Sequence, residues 1–224
     1  MTKKRTRHSI SIEDYLKAIY RLTHESKHFA TTNAIAESLA VSAPSVTGML
    51  KKLAQAKLVN HSPYHGVRLT EIGQRRAVKI LRRHRLVELF LNKCLRLNWD
   101  EIHEEAEVLE HALSDRLEAR IDEWLGYPSF DPHGAPIPDA AGYIKPRKVL
   151  KLSEIAARKE AIVAQVVGVN AALLSYFEER RIFPNRRIVV LEREQYGGSL
   201  KVRVSGKIQF VGLEAAQQIM VEQL

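Results

Sequence analysis

Two imidazoles and two carboxylates recur at helical spacing within residues 100–120, DEIHEEAEVLEHALSDRLEAR. His103, Glu107, Glu110 and His111 follow one another at steps of four, three and one, so at about 100° per residue all four project from one sector of a helix. Nitrogen and oxygen donors that converge from one sector can bind a divalent cation. A solvated acidic face with scattered histidines is the alternative, and this helix alone leaves it open.

A second pair with the same spacing precedes this segment. His84 and Glu88 stand four residues apart in LRRHRLVELFL, so they share one helical face. Helical bundles that bind metal project Glu and His inward from neighbouring helices. Two helices with the same nitrogen-plus-carboxylate spacing therefore favour one shared metal cluster.

The elements that position these residues are predicted to be helical. Residues 100–120 read as one long amphipathic helix with Asp100 as its N-cap, and the chain is predicted to stay helical from Glu71 to about Trp124. The apolar stripe of the long helix consists of Ile102, Ala106, Leu109, Leu113 and Leu117. Leu86 to Leu97 supply more apolar surface than two helices can hide from each other, which predicts a dimer interface.

Composition narrows the class of protein. The chain has 224 residues, 45% of them hydrophobic, which suits two or three small domains. A net charge of +9 and a pI of about 9.7 favour an anionic partner such as nucleic acid. The single cysteine, Cys94, excludes an internal disulfide and a thiolate zinc cluster. With no apolar run of signal-peptide or membrane-span length, a soluble, cytoplasmic protein without a membrane partner is expected.

The N-terminal third has the layout of a helix-turn-helix. A helix is predicted from about Ser11, with Asp14 as the acidic member of a capping box, and a second from Thr32 to Ala40. After a tight turn, Ser42 caps a third helix that tolerates Pro44 in its first turn. Its predicted outward residues are small and polar first and cationic later: Ser42, Ser45, Thr47, Lys51 and Lys52. Such a helix can enter a DNA major groove N-terminus first.

A hairpin is predicted directly after this recognition helix. Leu58 to His61 and Val67 to Thr70 are β-prone runs around a turn with Pro63 and Gly66, as in the wing of a winged helix. The side chains expected to reach the DNA from its tip are His61, Tyr64, His65 and Arg68. A basic arm in residues 1–8 can also touch phosphates.

The remaining chain divides into a linker and a small β domain. Tyr127 to Pro146 contains five prolines and little periodicity, which indicates a loop. The predicted β runs are Ala161 to Val169, Arg187 to Arg193, LKVRVS and GKIQFV, with a short helix from Asn170 to Arg180. Short strands with hairpin turns favour a small SH3-like barrel. The predicted fold class is therefore mainly α with a small β domain.

The order of these parts resembles the diphtheria toxin repressor and manganese transport regulator family of metal-dependent transcriptional regulators. The resemblance covers essentially the whole chain, and its most specific segments are IHEEAEVLEHALSD, RRHRLVELFL and EDYLKAIY. It implies a winged helix-turn-helix DNA-binding domain in residues 1–72, a helical metal-binding and dimerisation domain with a Pro-rich linker in 73–145, and an SH3-like (FeoA-like) barrel in 146–224.

The resemblance also implies a ligand set. In that family the primary metal bridges the first helix of the DNA-binding domain and the long dimerisation helix. The implied primary ligands here are Asp14, Glu107, Glu110 and His111, and the implied ancillary ligands are His84, Glu88 and His103. The layout of the recognition helix and wing predicts the DNA-binding residues Ser42, Pro44, Ser45, Thr47, Lys51 and Arg68.

Ligand type bears on the identity of the metal. Members that resemble the iron-sensing branch place Cys where Glu107 stands and Met where Asp14 stands, whereas hard oxygen donors suit Mn²⁺, with Fe²⁺ as the alternative. Compact manganese members carry a second acid where this chain has Lys17, so the ancillary site is expected to follow the iron branch. The barrel residues that complete it there align near Asn170 and Leu173, and because Leu cannot ligate, water or another barrel residue is expected instead.

The function implied is a non-enzymatic regulator that binds operator DNA as a homodimer when metal is bound, and so represses metal-uptake genes. Without metal, the like charges of Asp14, Glu107 and Glu110 oppose docking of the first helix on the dimerisation helix. One alternative is a winged-helix regulator that answers to an organic effector. Another is a metallohydrolase, which needs an open coordination position and a substrate pocket with an added base.

Overall fold

The structure, a computed structural model, describes residues 11–26, 28–62, 65–167, 170–194 and 198–224. The predicted basic arm, residues 1–8, and Tyr64 at the predicted wing tip lie outside the described residues. No helix among the described residues is both long and apolar enough to cross a membrane.

The N-terminal part is a winged helix, as predicted. Its elements are α1 (Ile12–Ser26), α2 (Thr32–Ser38), α3 (Ala43–Gln55), β1 (Val59–Ser62) and β2 (Gly66–Leu69), and the two strands pair antiparallel. The cap of α3 is the one predicted, since the Ser42 hydroxyl accepts the N–H of Ser45 and Pro44 lies in the first turn. Leu16, Ile35 and Leu53 are fully buried, so the three helices share one core.

The central helical part has breaks that the predicted continuous helix did not include. After α4 (Glu71–Phe90) comes a π-helical segment, Leu91–Leu95, and Arg96 in a left-handed conformation ends it. The next helices are α5 (Trp99–Ala112) and α6 (Asp115–Trp124). Residues 100–120 therefore belong to two helices rather than one.

Local hydrogen bonds explain these breaks. Asn98, not Asp100, is the N-cap of α5, and its backbone N–H donates to Glu101 Oε2 at 2.9 Å. Leu113 is extended, and the Ser114 hydroxyl caps α6 by accepting the N–H of Leu117. The new cap offsets the hydrogen bonds lost between the two helices, which lets α6 take its own direction.

The C-terminal part is the small β domain that was predicted. Its elements are β3 (Leu150–Lys151), a 3₁₀ turn (Leu152–Glu154), β4 (Lys159–Val166), α7 (Ala171–Glu179), β5 (Arg187–Arg193), β6 (Ser199–Val204), β7 (Lys207–Gly212), α8 (Leu213–Gln217) and β8 (Ile219–Gln223). The six strands form one antiparallel sheet in the order β3-β8-β4-β5-β6-β7. The last helix and strand were not predicted.

The proline-rich segment is more than the linker that was expected. Its residues 131–135 pack directly on β4, where the Val166 N–H donates to the His133 carbonyl at 2.9 Å. A Cβ at Gly134, whose φ is +86°, would stand 2.1 Å from the Ala164 carbonyl oxygen, so only glycine permits this approach. The loop thus joins the helical part to the β domain at a fixed place.

Candidate metal centre

A cavity of about 980 Å³ lies where α1, α4, α5 and the 131–135 loop meet. All seven predicted metal ligands lie in this region, and the loop adds Asp131 and His133. They form four overlapping groups in which the potential ligand atoms lie within 4.8 Å of one another. The groups are Asp14–Glu110–His111, His84–Glu107–Glu110, His84–Glu88–His103 and Glu88–Asp131–His133.

The first group joins the winged helix to the helical domain. His111 Nε2, from α5, lies 2.8 Å from Asp14 Oδ1 on α1 and 3.5 Å from Glu110 Oε1. The other ring nitrogen, Nδ1, lies 2.6 Å from Glu13 Oε2. A carboxylate that accepts a hydrogen bond from Nδ1 leaves Nε2 directed at a cation, as in many metal sites.

Asp14 has the capping role considered from the sequence, and its other carboxylate oxygen lies beside a second potential ligand. Its Oδ2 accepts the N–H of Ser11 at 2.6 Å, while the Ser11 hydroxyl accepts the N–H of Asp14, which is a reciprocal cap of α1. Its Oδ1 faces His111. The cap therefore orients the carboxylate toward the centre instead of competing with a ligand role.

Glu107 is set apart from the other three predicted primary ligands. Its carboxylate groups with His84 and Glu110 rather than with Asp14 and His111. The Lys17 ammonium contacts Glu107 Oε1 at 2.9 Å and Glu110 Oε1 at 2.6 Å. The structure thus brings three of the four together and pairs the fourth with a buried lysine.

The predicted ancillary residues do meet. Glu88 Oε1 lies 3.0 Å from His84 Nε2 and 3.1 Å from His103 Nδ1, so one carboxylate oxygen joins the two imidazoles. His84 Nδ1 lies 2.5 Å from Glu110 Oε2, which connects this group to the first one. His84 and Glu88 are buried, whereas His103 is partly exposed at the rim.

Asp131 and His133 are the potential ligands that sequence reasoning missed. Asp131 Oδ1 accepts the N–H groups of His133 and Ala135 at 2.9 Å each, which shapes the loop. His133 Nδ1 lies 3.9 Å from Glu88 Oε2, and Nε2 is buried without a hydrogen-bond partner among the described residues. The only signal in the sequence was an acid and an imidazole two residues apart in a proline-rich loop.

Burial and neighbouring charges move the pKa values of the centre in different directions. Burial alone lowers the pKa of His84, but the charge of Glu88 and hydrogen bonds with Glu110 and Glu88 outweigh it and raise the pKa to about 9. Burial raises the pKa of Glu107, but the charge of Lys17 outweighs it and lowers the pKa to about 2. Burial, followed by the charge of Glu88, raises the pKa of Asp131 to about 7.

Asn170 and Leu173, the β-domain residues expected near the ancillary site, have contacts other than with the potential metal ligands. The Asn170 side chain accepts the N–H of Leu173 at 2.9 Å and so caps α7. The Leu173 side chain has no atom that can bind a metal, and it packs against the apolar core. Asn170 lines the cavity, but Asp131 and His133 are the potential ligands that lie beside Glu88.

The donor set fits a divalent cation. Every potential ligand atom is a carboxylate oxygen or an imidazole nitrogen, the donors that Mn²⁺ and Fe²⁺ accept. In the first group the Glu13 carboxylate contacts the imidazole of His111, which would orient that ring toward a cation. His133 Nε2 is buried without a hydrogen-bond partner among the described residues, so it is available to a cation.

The predicted DNA-binding residues lie on the opposite side of the winged helix from its core. All six are exposed: Ser42, Pro44, Ser45, Thr47, Lys51 and Arg68. The Arg68 guanidinium stacks over the Phe29 ring, 4.2 Å from its centroid, which fixes the base of the wing. The first turn of α3 and the strand β2 therefore present hydroxyls and cations to solvent.

Comparison with known proteins places these parts in one family. Residues 8–67 match the iron dependent repressor N-terminal DNA binding domain, residues 70–139 match the iron dependent repressor metal binding and dimerisation domain, and residues 150–223 match the FeoA domain. The solved structure of a manganese-dependent transcriptional repressor in complex with manganese has a TM-score of 0.89 and 40% identity, over 96% of this chain and 100% of that one.

Two relatives of different length match different shares of this chain. An HTH-type transcriptional regulator of Methanocaldococcus jannaschii is 42% identical over 113 residues, which are 50% of this chain and 90% of the relative. The iron-dependent repressor IdeR of Mycobacterium tuberculosis is 28% identical over 207 residues, which are 87% of this chain and 88% of the relative. This chain belongs to the iron-dependent repressor family of metal-dependent transcriptional regulators, as its sequence predicted.

Proposed function

We propose that this protein is a cytoplasmic repressor that binds operator DNA as a homodimer when Mn²⁺ occupies its metal centre, with Fe²⁺ as the alternative, and that it represses genes for metal uptake. The observation that carries the proposal is the contact between His111 on α5 and Asp14 on α1, at 2.8 Å. Side chains of the DNA-binding and helical domains meet there, so a ligand bound between them affects both.

The roles of the side chains follow from their positions. A divalent cation held by Asp14, Glu110 and His111, with Glu107 beside them, would supply the positive charge that lets these carboxylates approach one another. Asp14 belongs to α1, which shares one apolar core with the recognition helix α3, so fixing Asp14 would fix the position of that core relative to α5. His84, Glu88 and His103, with Asp131 and His133 nearby, form the ancillary site.

The choice of metal rests on the donors. Oxygen donors stand at both Asp14 and Glu107, and neither position carries sulfur, which favours Mn²⁺ over softer ions. A solved structure that is 40% identical over 96% of this chain is that of a manganese-dependent transcriptional repressor. Iron stays the alternative because availability in the cell can override ligand preference.

The DNA is proposed to be contacted by the exposed first turn of α3 and by the wing. Ser42, Ser45 and Thr47 are short enough to approach base edges and phosphates, while Lys51 and Arg68 neutralise backbone charge.

Moving a metal-dependent switch from 1:99 to 99:1 in favour of the DNA-competent form takes about 5.5 kcal/mol of differential affinity. A chelated divalent cation is able to supply that amount.

The test is a metal-dependent DNA-binding measurement. Random double-stranded DNA is selected on the chelator-treated protein with Mn²⁺, and the affinity for the enriched sequence is then measured by fluorescence anisotropy with Mn²⁺ or with chelator. We expect the affinity to fall about 100-fold or more without metal, the size of a strong allosteric coupling. Asp14→Ala and Glu107→Ala should lose most of that difference, whereas Glu105→Ala, an exposed acid on the same helix, should keep it.

The alternatives predict other results. If the organic-effector reading holds, Glu107→Ala leaves DNA binding unchanged both with and without metal. We propose no enzymatic activity, and hydrolysis of an ester or phosphate substrate with Mn²⁺ would contradict that. Equal affinity with Mn²⁺ and with chelator would end the proposal of metal gating.

A further inference from the structure

One lysine lies inside the acidic centre. Lys17, on α1, is 4% exposed, and its ammonium contacts Glu110 Oε1 at 2.6 Å and Glu107 Oε1 at 2.9 Å. Both acids are on α5, 90 and 93 positions away along the chain. The ammonium therefore joins the same two helices that the proposed metal ligands join.

The burial of the Lys17 ammonium is energetically costly and needs a physical explanation. Removing an ammonium from water is costly unless it is paired, and here Glu107 and Glu110 are the pair. Its neighbours Leu16, Ala18 and Ile19 are buried apolar residues, so an apolar side chain would have suited the packing of α1. The charge of Lys17 therefore matters at this position, rather than its bulk alone.

The ammonium also uses oxygen atoms that a cation needs. Glu110 Oε1 lies 3.5 Å from His111 Nε2, and Glu107 Oε1 lies 3.8 Å from His84 Nδ1. A divalent cation on these oxygens would stand within a few ångström of the ammonium. Two positive charges at that distance in a buried site repel each other strongly.

We propose that Lys17 is the resident cation of the centre: in the metal-free protein its ammonium neutralises Glu107 and Glu110 and holds α1 on α5, and a divalent cation binds by displacing it from those carboxylates. Lys17 thereby sets the metal concentration to which the protein responds. The inference rests on the proposed function, because it takes Glu107 and Glu110 to be metal ligands.

This inference changes the expected metal-free state. Repulsion among Asp14, Glu107 and Glu110 was expected to keep α1 from docking, yet α1 itself carries the cation that cancels much of it. Because the ammonium is tethered to α1, its competition does not depend on the concentration of any monovalent ion in solution. Lys17 would then link α1 to α5 in the metal-free protein, and a divalent ion would link them in the metal-bound protein.

The experiment compares Lys17→Met, which keeps the length and removes the charge, with Lys17→Arg, which keeps the charge. The Mn²⁺ dissociation constant of the full chain without DNA is measured by competition with a fluorescent chelator, and the thermal midpoint is measured with and without Mn²⁺. The matched control is Lys79→Met, because Lys79 on α4 contacts Asp115 on α6 at 2.7 Å in an exposed ion pair.

We expect Lys17→Met to bind Mn²⁺ about tenfold tighter or more than the wild type. Without metal its thermal midpoint should be lower than that of the wild type, and Mn²⁺ should raise its thermal midpoint by more. Lys17→Arg should bind Mn²⁺ more weakly than Lys17→Met, and Lys79→Met should match the wild type. If metal-free Lys17→Met does not fold and Mn²⁺ restores its folding, the result supports the same role, and Lys17→Gln then serves for the titration.

Equal or weaker Mn²⁺ binding by Lys17→Met would overturn the inference. That result leaves the proposed function intact if Glu107→Ala still weakens Mn²⁺ binding. If Glu107→Ala has no effect on Mn²⁺ binding, the proposed function itself is overturned. The two failures are thus separated by one additional variant.

Discussion

Two imidazoles of the candidate metal centre have pKa values shifted in opposite directions although they share one cavity. Glu88 and Glu110 hold the pKa of His84 at about 9, so His84 is protonated near neutral pH. Burial lowers the pKa of His133, which lacks a strong partner, so that ring is neutral. His84 must therefore give up a proton before its nitrogens can bind a metal, whereas His133 need not.

The charge of His84 predicts a pH dependence of stability for the metal-free protein. Because the pKa is raised from 6.5 to about 9 on folding, the contribution is fully present below pH 6.5 and is lost as the pH rises through about 9. The expected loss is about 3 kcal/mol in the free energy of unfolding. Urea unfolding of chelator-treated protein between pH 6 and pH 10 measures it.

The control for this prediction is His84→Gln, which keeps a polar side chain without the titration. Other groups that titrate near pH 10 contribute equally to both proteins, so the difference between their curves isolates His84. Parallel curves for the wild type and His84→Gln would contradict the prediction.

Sequence reasoning found those site residues that helical periodicity makes visible. The four donors of α5 and the pair on α4 lie near the cavity, because side chains three or four positions apart share a helix face whatever the fold. Asp14 also lies there, but only the family resemblance indicated it as a ligand. Asp131 and His133 follow no period, and their place depends on the packing of Gly134 on β4. The pairing of Lys17 with Glu107 spans 90 positions, which no local pattern indicates.

At the scale of elements, the junction between the wing and α4 depends on one glycine. The Thr70 hydroxyl donates to the Lys57 carbonyl at 2.7 Å and accepts the N–H of Gly73 at 3.1 Å, so the start of α4 is fixed against the chain that leads into β1. A Cβ at Gly73 would stand 2.0 Å from the Leu58 carbonyl oxygen. This contact holds the first turn of α4 against the chain between α3 and β1.

Gly73→Ala is therefore expected to destabilise the protein by about 2 kcal/mol, because the backbone of Leu58 must move. The matched control is Gly48→Ala on α3, where a Cβ meets nothing within 4 Å. That substitution should stabilise the protein by up to about 1 kcal/mol through helix propensity. Urea midpoints compare the two, and a neutral Gly73→Ala would show that the junction yields easily.

Helix boundaries were the part of the elements that periodicity predicted least well. The apolar spacing of residues 102–117 continues across Leu113, yet Ser114 begins a new helix through its side-chain cap. A serine followed by an acid is a start signal that stood in the sequence. It was outweighed by the absence of Pro and Gly, which is a weaker indication than a cap.

On the scale of the whole molecule, the apolar surplus lies elsewhere than expected. Leu86, Leu89 and Leu91 are buried within the chain. The large apolar side chains left exposed on the helical domain include Leu95, Val108, Leu109, Leu117 and Trp124. Most of them belong to α5 and α6, so we propose that the dimer interface lies mainly on these two helices and only partly on the predicted run from Leu86 to Leu97.

Leu117→Glu tests this interface, because a charge at the centre of an apolar contact opposes association while a monomer tolerates it. Leu117 is 50% exposed, and the matched control is Ile208→Glu, at a side chain 54% exposed on the edge strand β7. Sedimentation of the Mn²⁺-loaded proteins should give a monomer for Leu117→Glu and the wild-type mass for Ile208→Glu.

The same variant separates metal binding from DNA binding. The ligand groups of the centre lie within one chain, so Leu117→Glu should bind Mn²⁺ with nearly wild-type affinity. Its affinity for the selected operator should fall about 100-fold or more, because two recognition helices must engage two half-sites together. A monomer that retained full operator affinity would show that one winged helix suffices, and a dimer that persisted would place the interface on another face.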